Sequence, residues 1–152
     1  VSGRALALFQ GLPHRQEWVA KRAGVTFIND SKSTTVDACL RAIEAAPGPV
    51  VLIAGGRDKG GDFSPLRFEA VTRKLKAAVL IGEDGPKIAR SLKGTVPLKK
   101  ARDLGEAVRT AFGLARPGEC VLLSPMCASF DMFRDFEDRG AKFTRLVRAM
   151  ES

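Results

Sequence analysis

Short apolar runs the length of a β-strand alternate along the chain with segments that have the periodicity of a helix. Runs of continuous apolar residues predict strands that are covered on both faces of a sheet. They lie at residues 50–54 (VVLIA), 78–81 (AVLI) and 120–123 (CVLL). Residues 95–98 predict a weaker strand, and residues 17–29 predict a hairpin of two strands around residues 22–24.

The segments between these strands predict helices. Residues 35–46 carry apolar side chains on one helical face and end before the Pro-Gly-Pro of residues 47–49. Ser64 and Pro65 predict the N-cap and first position of a helix reaching about Lys76. Three further helices are expected near residues 86–92, from the capping pair Asp103 and Glu106 to Ala115, and over residues 132–150, where Gly140 could break the helix.

This alternation predicts a single α/β domain with a Rossmann-like, doubly wound and mainly parallel sheet and helices on both faces. Ligands of such sheets bind at the carboxyl ends of the strands. Four loops are expected there, at residues 29–34, 55–62, 82–85 and 124–131.

Residues 29–35 (NDSKSTT) lead from a strand into a helix. The free N–H groups of a helix start, together with Lys32 and several hydroxyls, suit a phosphate or carboxylate, and Asp30 suits a ribose or an adenine amine. The alternative is an ordinary helix start, capped by Ser33 or Thr34 with Lys32 in water.

Residues 55–62 (GGRDKGGD) follow the most apolar strand. Their glycines allow a ligand to approach the backbone closely, and Lys59 offers a positive charge. Neither a P-loop nor a G-x-G-x-x-G motif occurs in the chain. The alternative is a flexible surface turn.

Residues 124–131 (SPMCASFD) follow the last strand. Ser129 suits a carboxylate there, with Phe133 or Phe136 as a pocket wall. Cys127 is a weak candidate nucleophile, because the only histidine, His14, is distant in sequence. Arg15 could pair with a phosphate or be a plain surface arginine.

The net charge of +8 suits anionic ligands. The basic residues are scattered and the chain has no Tyr and one Trp, so a nucleic-acid-binding module is not expected. The three cysteines form no C-x-x-C pair and are expected to be buried, which fits a reducing, cytoplasmic setting. No membrane span, metal-ligand spacing or signal peptide is seen, and the lack of an initial Met suggests a piece of a longer protein.

Four stretches in the same order resemble the C-terminal domain of the Mur ligases, most closely of the members that add D-glutamate. They are GLPHR (11–15), NDSKST (29–34), GGRDK (55–59) with DFSPL (62–66), and LSPMCAS (123–129) with FEDRG (136–140). The resemblance implies that residues 11–152 are this domain and residues 1–10 a linker or hinge. It also implies that the UDP-binding and central ATPase domains are absent from this chain.

The resemblance implies an ATP-dependent ligase that joins D-glutamate to UDP-N-acetylmuramoyl-L-alanine through an acyl phosphate in peptidoglycan synthesis. Mg²⁺ would be bound mainly by the central domain, the whole protein would be a monomer, and this chain alone would be inactive. By position, Arg15 and Asp30 resemble the ATP contacts. The D-glutamate contacts would be Lys32, Thr34, Lys59, Ser129, Phe130 and Phe136, with Lys32 and Lys59 near the reacting atoms. Phe130 stands where relatives often carry Leu.

Two other interpretations stay open at this point. One is a non-catalytic basic domain that binds nucleotides or nucleic acid, since a fold alone does not determine function. The other is a ligase of the same fold for a different amino acid.

Overall fold

A computed structural model describes residues 13–58, 60–129 and 132–150. Its centre is a six-stranded sheet with the order β1-β2-β6-β3-β4-β5. The strands are β1 (Glu17–Arg22), β2 (Val25–Asn29), β3 (Val50–Gly55), β4 (Leu75–Ile81), β5 (Leu98–Lys100) and β6 (Cys120–Leu123). Only the β1–β2 pair is antiparallel, so the predicted hairpin and the mainly parallel sheet are both confirmed.

Helices cover both faces of the sheet, as a doubly wound fold requires. They are α1 (Val36–Ala45), a 3-10 helix (Ser64–Arg67), α2 (Glu69–Thr72), α3 (Gly85–Leu92), α4 (Leu104–Leu114) and α5 (Phe136–Arg148). The apolar core on one face joins the sheet to α1, the 3-10 helix and α3. The core on the other face joins it to α4 and α5.

The central strand β3 shows why a continuous apolar run is needed here. All six of its residues are buried. Leu52 and Ala54 pack toward α1 and α3, whereas Val51 and Ile53 pack toward α4 and α5. Because alternate side chains point to opposite faces of a strand, both sets must be apolar.

The helix predicted from Ser64 to Lys76 is wrong in its length and continuity. Phe68 has extended backbone angles (φ −60°, ψ 139°) and separates the 3-10 helix from the one-turn α2. Leu75 and Lys76 belong to β4, where Leu75 pairs with Val50 and is buried. The need to bury Leu75 in the sheet therefore overrides the helical pattern.

The weak strand predicted at residues 95–98 lies further along the chain, at Leu98–Lys100 (β5). The N–H and hydroxyl of Thr95 both donate to the carbonyl of Leu92, at 3.0 and 2.6 Å, and so complete the end of α3. The next residue but one, Pro97, has no N–H to donate to a strand. Pairing with β4 begins only at Leu98.

The last helix begins at Phe136 instead of Met132, because the Asp135 carboxylate caps it by accepting the Asp138 N–H at 2.7 Å. It continues through Gly140 without a break. Glycine is required there because His14 Nδ1 occupies the space of a Cβ atom. The expected cap of α4 is confirmed at Asp103, but the Glu106 carboxylate accepts the Arg102 N–H instead of completing a capping box.

Candidate functional site

Three of the four predicted ligand loops are bonded to one another at the carboxyl edge of the sheet. Arg57 and Ala128 exchange two backbone hydrogen bonds, of 2.9 and 3.0 Å, which join the loop after β3 to the loop after β6. The Met126 N–H donates to the Ser33 carbonyl at 2.9 Å and joins the loop after β2. Gly56 (φ +135°) allows the first contact, because a Cβ there would overlap the Ala128 carbonyl oxygen.

A buried arginine on α5 holds two of these loops together from beneath. Arg139 is fully buried. Its guanidinium donates to the Ser31 hydroxyl (3.0 Å), the Ser31 carbonyl (2.7 Å) and the Cys127 carbonyl (3.0 Å). The Ser31 hydroxyl in turn donates to the Phe136 carbonyl at 2.6 Å. Arg139 was given no role from the sequence; its only signal was its place in the FEDRG stretch.

The fourth loop, residues 82–85, supports the glycine-rich loop after β3. The Asp58 N–H donates to the Asp84 carboxylate at 2.6 Å, and Arg57 Nε pairs with Glu83 at 3.1 Å. The Asp58 carboxylate also pairs with Lys87 on α3. This loop therefore positions its neighbour. The alternative of a flexible surface turn at residues 55–62 does not describe residues 57 and 58, which these bonds hold in place.

The larger cleft at this edge has a volume of about 460 Å³ and contains three of the predicted D-glutamate contacts, Thr34, Ser129 and Phe136. A pocket of roughly 300–1,000 Å³ is of the size that holds a small ligand. Ser129 is buried in its wall, and Phe136 is half-buried. Lys59 and Phe130, which were predicted for the same site, lie outside the described residues.

Four carboxylates line this larger cleft, which the sequence did not predict. They belong to Asp37, Asp58, Asp62 and Asp135. Partial burial raises the pKa of Asp58, but the hydrogen bond and charge of Lys87 and the Gly61 N–H outweigh it and hold that pKa below its usual value. The N–H and hydroxyl of Ser64 lower the pKa of Asp62. Both carboxylates are therefore kept ionised and favour a positively charged group in the cleft.

A second, smaller cleft of about 330 Å³ contains both predicted ATP contacts, Arg15 and Asp30. Lys32 also lines this cleft and not the larger one. Lys32 Nζ lies 6.0 Å from the centre of the Phe136 ring, and Phe136 lines the larger cleft. Lys32 thus stands at the boundary between the two clefts.

Asp30 is a buried acceptor at the floor of the smaller cleft. Its carboxylate accepts the Gln16 N–H at 3.0 Å and the Ser124 hydroxyl at 2.8 Å. Burial raises the pKa of Asp30, and these two hydrogen bonds together with the charge of Arg15 oppose the rise. Ser124 is a site residue that the sequence did not identify, because it acts on Asp30 from 94 positions away.

The start of α1 is capped by Thr35, which accepts the Ala38 N–H at 3.2 Å. The alternative interpretation, a cap at Ser33 or Thr34, is therefore wrong. Thr34 is exposed and lines the larger cleft. Ser33 is buried beside the smaller cleft, where its hydroxyl lowers the pKa of Asp30 without a hydrogen bond of good geometry.

Three residues around the clefts have left-handed backbone angles that side chains other than glycine rarely adopt. They are His14 (φ 64°), Gln16 (φ 46°) and Met126 (φ 63°). The His14 carbonyl accepts the Lys32 N–H at 2.9 Å, and Asn29 Nδ2 lies 3.2 Å from His14 Nδ1. Such strain persists where surrounding contacts fix the backbone, and it concentrates at functional sites.

The predicted burial of all three cysteines is confirmed. Burial raises the pKa of Cys39 to about 12. Cys127 is 1% exposed. An inaccessible thiol does not suit a nucleophile, so the structure does not support Cys127 in that role. Within residues 13–58, 60–129 and 132–150, no group of three His, Cys, Asp or Glu is placed to hold a metal ion, and no helix there is long and apolar enough to cross a membrane.

The profile of the family described as "Mur ligase, glutamate ligase domain" matches residues 14–127. The chain belongs to the Mur ligase family. The matched segment includes both predicted ATP contacts, Arg15 and Asp30, and ends before Ser129 and Phe136.

Curated Mur ligases extend the similarity over almost the whole chain. It is 50% identical over 145 residues to the UDP-N-acetylmuramoylalanine–D-glutamate ligase of Methylococcus capsulatus, covering 95% of this chain and 31% of that protein. To the enzyme of the same name from Pseudomonas aeruginosa it is 50% identical over 150 residues, covering 96% of this chain and 33% of that protein. The chain therefore spans about a third of the length of these relatives.

Solved structures of more distant Mur-type ligases share the fold. The murein peptide ligase Mpl of Psychrobacter arcticus superposes with a TM-score of 0.63 at 12% identity over 98% of this chain and 33% of that chain. The MurF ligase of Thermotoga maritima, in complex with ADP, superposes with a TM-score of 0.57 at 17% identity over 91% of this chain and 32% of that chain. These likenesses confirm the Rossmann-like α/β class of the Mur ligase domain.

Proposed function

We propose that this chain is the amino-acid-delivering domain of an ATP-dependent ligase that adds D-glutamate to UDP-N-acetylmuramoyl-L-alanine. The observation that carries the proposal is the pair of adjoining clefts at one edge of the sheet, one containing Thr34, Ser129 and Phe136 and the other Arg15 and Asp30. The identity of about 50% to ligases of that name supports the choice of substrate.

In this proposal D-glutamate occupies the larger cleft. Thr34 and Ser129 offer hydroxyls to its carboxylates, and Phe136 forms an apolar wall. Lys32 at the boundary and Lys59 in the glycine-rich loop supply the positive charges that two carboxylates need. The ionised carboxylate of Asp62 attracts the ammonium group.

The nucleotide occupies part of the smaller cleft, with Arg15 on phosphate and Asp30 toward the adenosine. ATP supplies the phosphoryl group that turns the carboxylate of UDP-N-acetylmuramoyl-L-alanine into an acyl phosphate. The amine of D-glutamate, once it has lost a proton, attacks the acyl carbon; the tetrahedral intermediate then releases phosphate and leaves an amide. The chain's share of this chemistry is to place the amine and exclude water. Mg²⁺ would be held chiefly by the nucleotide and the central domain.

The remaining parts of the enzyme are also proposed. A UDP-binding and a central ATPase domain would precede this one, and a hinge within residues 1–10 would let the domain close on the central one. The protein would act as a cytoplasmic monomer.

The test is Lys59→Ala in the complete protein, assayed for D-glutamate addition. KM for D-glutamate is expected to rise at least about tenfold, because a charged hydrogen bond of roughly 1.5–3 kcal/mol is lost. Lys142→Ala is the control, since Lys142 pairs with Asp138 on α5 outside both clefts. Unchanged kinetics of the Lys59 variant would remove the assigned pocket. The 152-residue chain alone is expected to show no turnover.

A second candidate is a ligase of this family for another amino acid. The four carboxylates of the larger cleft favour it, because they also suit a side chain with a second amine. Competition between D-glutamate and diamino acids in the complete protein separates the two: incorporation of a diamino acid in preference to D-glutamate would replace the proposal.

A further inference from the structure

The smaller cleft has a positive residue that neither the sequence patterns nor the expected ATP contacts include. Arg41 lines the cleft together with Ala38, one turn earlier on α1. The Thr35 cap fixes the first turn of this helix, so the face that carries Ala38 and Arg41 has a set orientation.

The charge of the smaller cleft is strongly unbalanced. It has three cations, Arg15, Lys32 and Arg41, against the single carboxylate of Asp30. Both oxygens of that carboxylate already accept hydrogen bonds from Gln16 and Ser124. Among the described residues neither Lys32 nor Arg41 has a carboxylate partner. Unpaired cations around a concave surface attract a polyanion.

The wall of the cleft also has a buried hydroxyl, that of Ser33, whose hydrogen-bonding capacity is not satisfied by good geometry within the described part of the chain. Its position is fixed, because the Ser33 N–H donates to the Asp30 carbonyl at 2.9 Å and its carbonyl accepts from Met126. This hydroxyl lowers the pKa of Asp30 without satisfying its own bonding geometry, and a buried polar group in that state calls for a water or ligand partner.

We propose that Arg41 is a phosphate-binding residue: it supplies a second guanidinium beside Arg15 and makes the smaller cleft a subsite for the oligophosphate of a nucleotide. The proposal rests on the proposed function, which puts a nucleotide in this cleft. A planar guanidinium binds two phosphate oxygens at once, so that two arginines can hold a chain of phosphates that one cannot.

The experiment titrates the 152-residue chain with tripolyphosphate, ATP and adenosine by calorimetry. Arg41→Ala is expected to weaken tripolyphosphate and ATP about tenfold and adenosine by less than about twofold, because only the phosphates meet the arginine. Arg41→Lys keeps the charge without the planar fork and is expected to lose about threefold.

Arg109→Ala is the matched control, since Arg109 is an exposed arginine on α4, at the opposite face of the sheet. Amide NMR spectra of each variant verify that the fold is kept, as expected for an exposed side chain. Equal affinities of the Arg41 and Arg109 variants for tripolyphosphate would overturn the proposal, as would a wild-type chain that binds no oligophosphate.

The outcomes separate this inference from the proposed function. If tripolyphosphate binding depends on Arg41 while the complete protein adds no D-glutamate, the phosphate subsite stands and the assigned reaction fails. If the complete protein adds D-glutamate and Arg41→Ala leaves its KM for ATP unchanged, the reaction stands and Arg41 has no part in it.

Discussion

The two clefts at the carboxyl edge of the sheet share loops but differ in the charged residues that the described part of the chain gives them. The larger one has four carboxylates among its lining residues, whereas the smaller one has three cations and one buried carboxylate. Residues 32–34 contribute to both, with Lys32 and Ser33 on the smaller side and Thr34 on the larger. One turn of chain thus separates a surface suited to an amine from a surface suited to phosphate, which is the separation that a ligation between an amine and a phosphorylated acid requires.

Both clefts are built from loops that Arg139 holds in place. Substitution of Arg139 is therefore expected to have the largest effect on stability. Arg139→Met would leave Ser31 and Cys127 without their buried donors and is expected to lower the free energy of unfolding by about 3 kcal/mol. Urea denaturation measures this free energy of unfolding. Both clefts are also expected to lose ligand affinity in the variant.

Arg145→Met is the control for that variant, because Arg145 is an exposed arginine on the same helix. A loss in the Arg139 variant no greater than that of Arg145→Met would mean that the backbone bonds between the loops suffice without the guanidinium.

The carboxylates of the two clefts are expected to respond to pH in opposite directions, which is a smaller effect. Burial raises the pKa of Asp30 above 3.8. Relative to Asp30→Asn, the wild type therefore loses stability as the pH rises from 3.8 through the folded-state pKa. The Asp58 pKa lies below 3.8. Relative to Asp58→Asn, the wild type therefore loses stability as the pH falls from 3.8 through the folded-state pKa.

The measurement is the free energy of unfolding of the wild type and both variants between about pH 3 and about pH 7. The two difference curves should slope in opposite directions. Parallel slopes would contradict the contrast between a buried acceptor and a carboxylate paired with Lys87.

The smallest effect is expected at an exposed ion pair between the loop after β3 and the loop after β4. The Arg57–Glu83 pair is exposed at both ends, with 55% and 58% of the side chains accessible. Arg57→Ala should change the free energy of unfolding by less than about 0.5 kcal/mol, because exposed ion pairs contribute little. A larger loss would show that the ion pair, and not the backbone bonds between Arg57 and Ala128, holds the loop.

The sheet was predictable because its signal is local. Runs such as residues 50–54 and 120–123 can be buried only in strands covered on both faces. The errors arose where a contact distant in sequence outweighs the local pattern: Leu75 joins β4 because it pairs with Val50, and the glycine at position 140 makes room for His14 instead of breaking α5.

The sequence predicted which loops meet at the candidate site, but not the direction of each side chain within it. The rule that ligands meet at the carboxyl ends of strands predicted that the loops at residues 29–34 and 124–131 lie together, and they are bonded through Ser33 and Met126. The assignment of Thr34, Ser129 and Phe136 to one ligand and of Arg15 and Asp30 to another came from the family resemblance. The rule could not separate Lys32 from Thr34, because that needs the direction of each side chain. Nor could it find Arg139 or Ser124, whose partners lie about a hundred positions away.

The strained segment of residues 13–16 has a mechanical consequence. From Pro13 the chain reaches Arg15 within two residues and then Gln16, whose N–H donates to the Asp30 carboxylate. The His14 carbonyl is tied to Lys32 in the same way. These two hydrogen bonds couple the backbone of residues 14–16 directly to Asp30 and Lys32, so a displacement of this segment would change the shape of the smaller cleft.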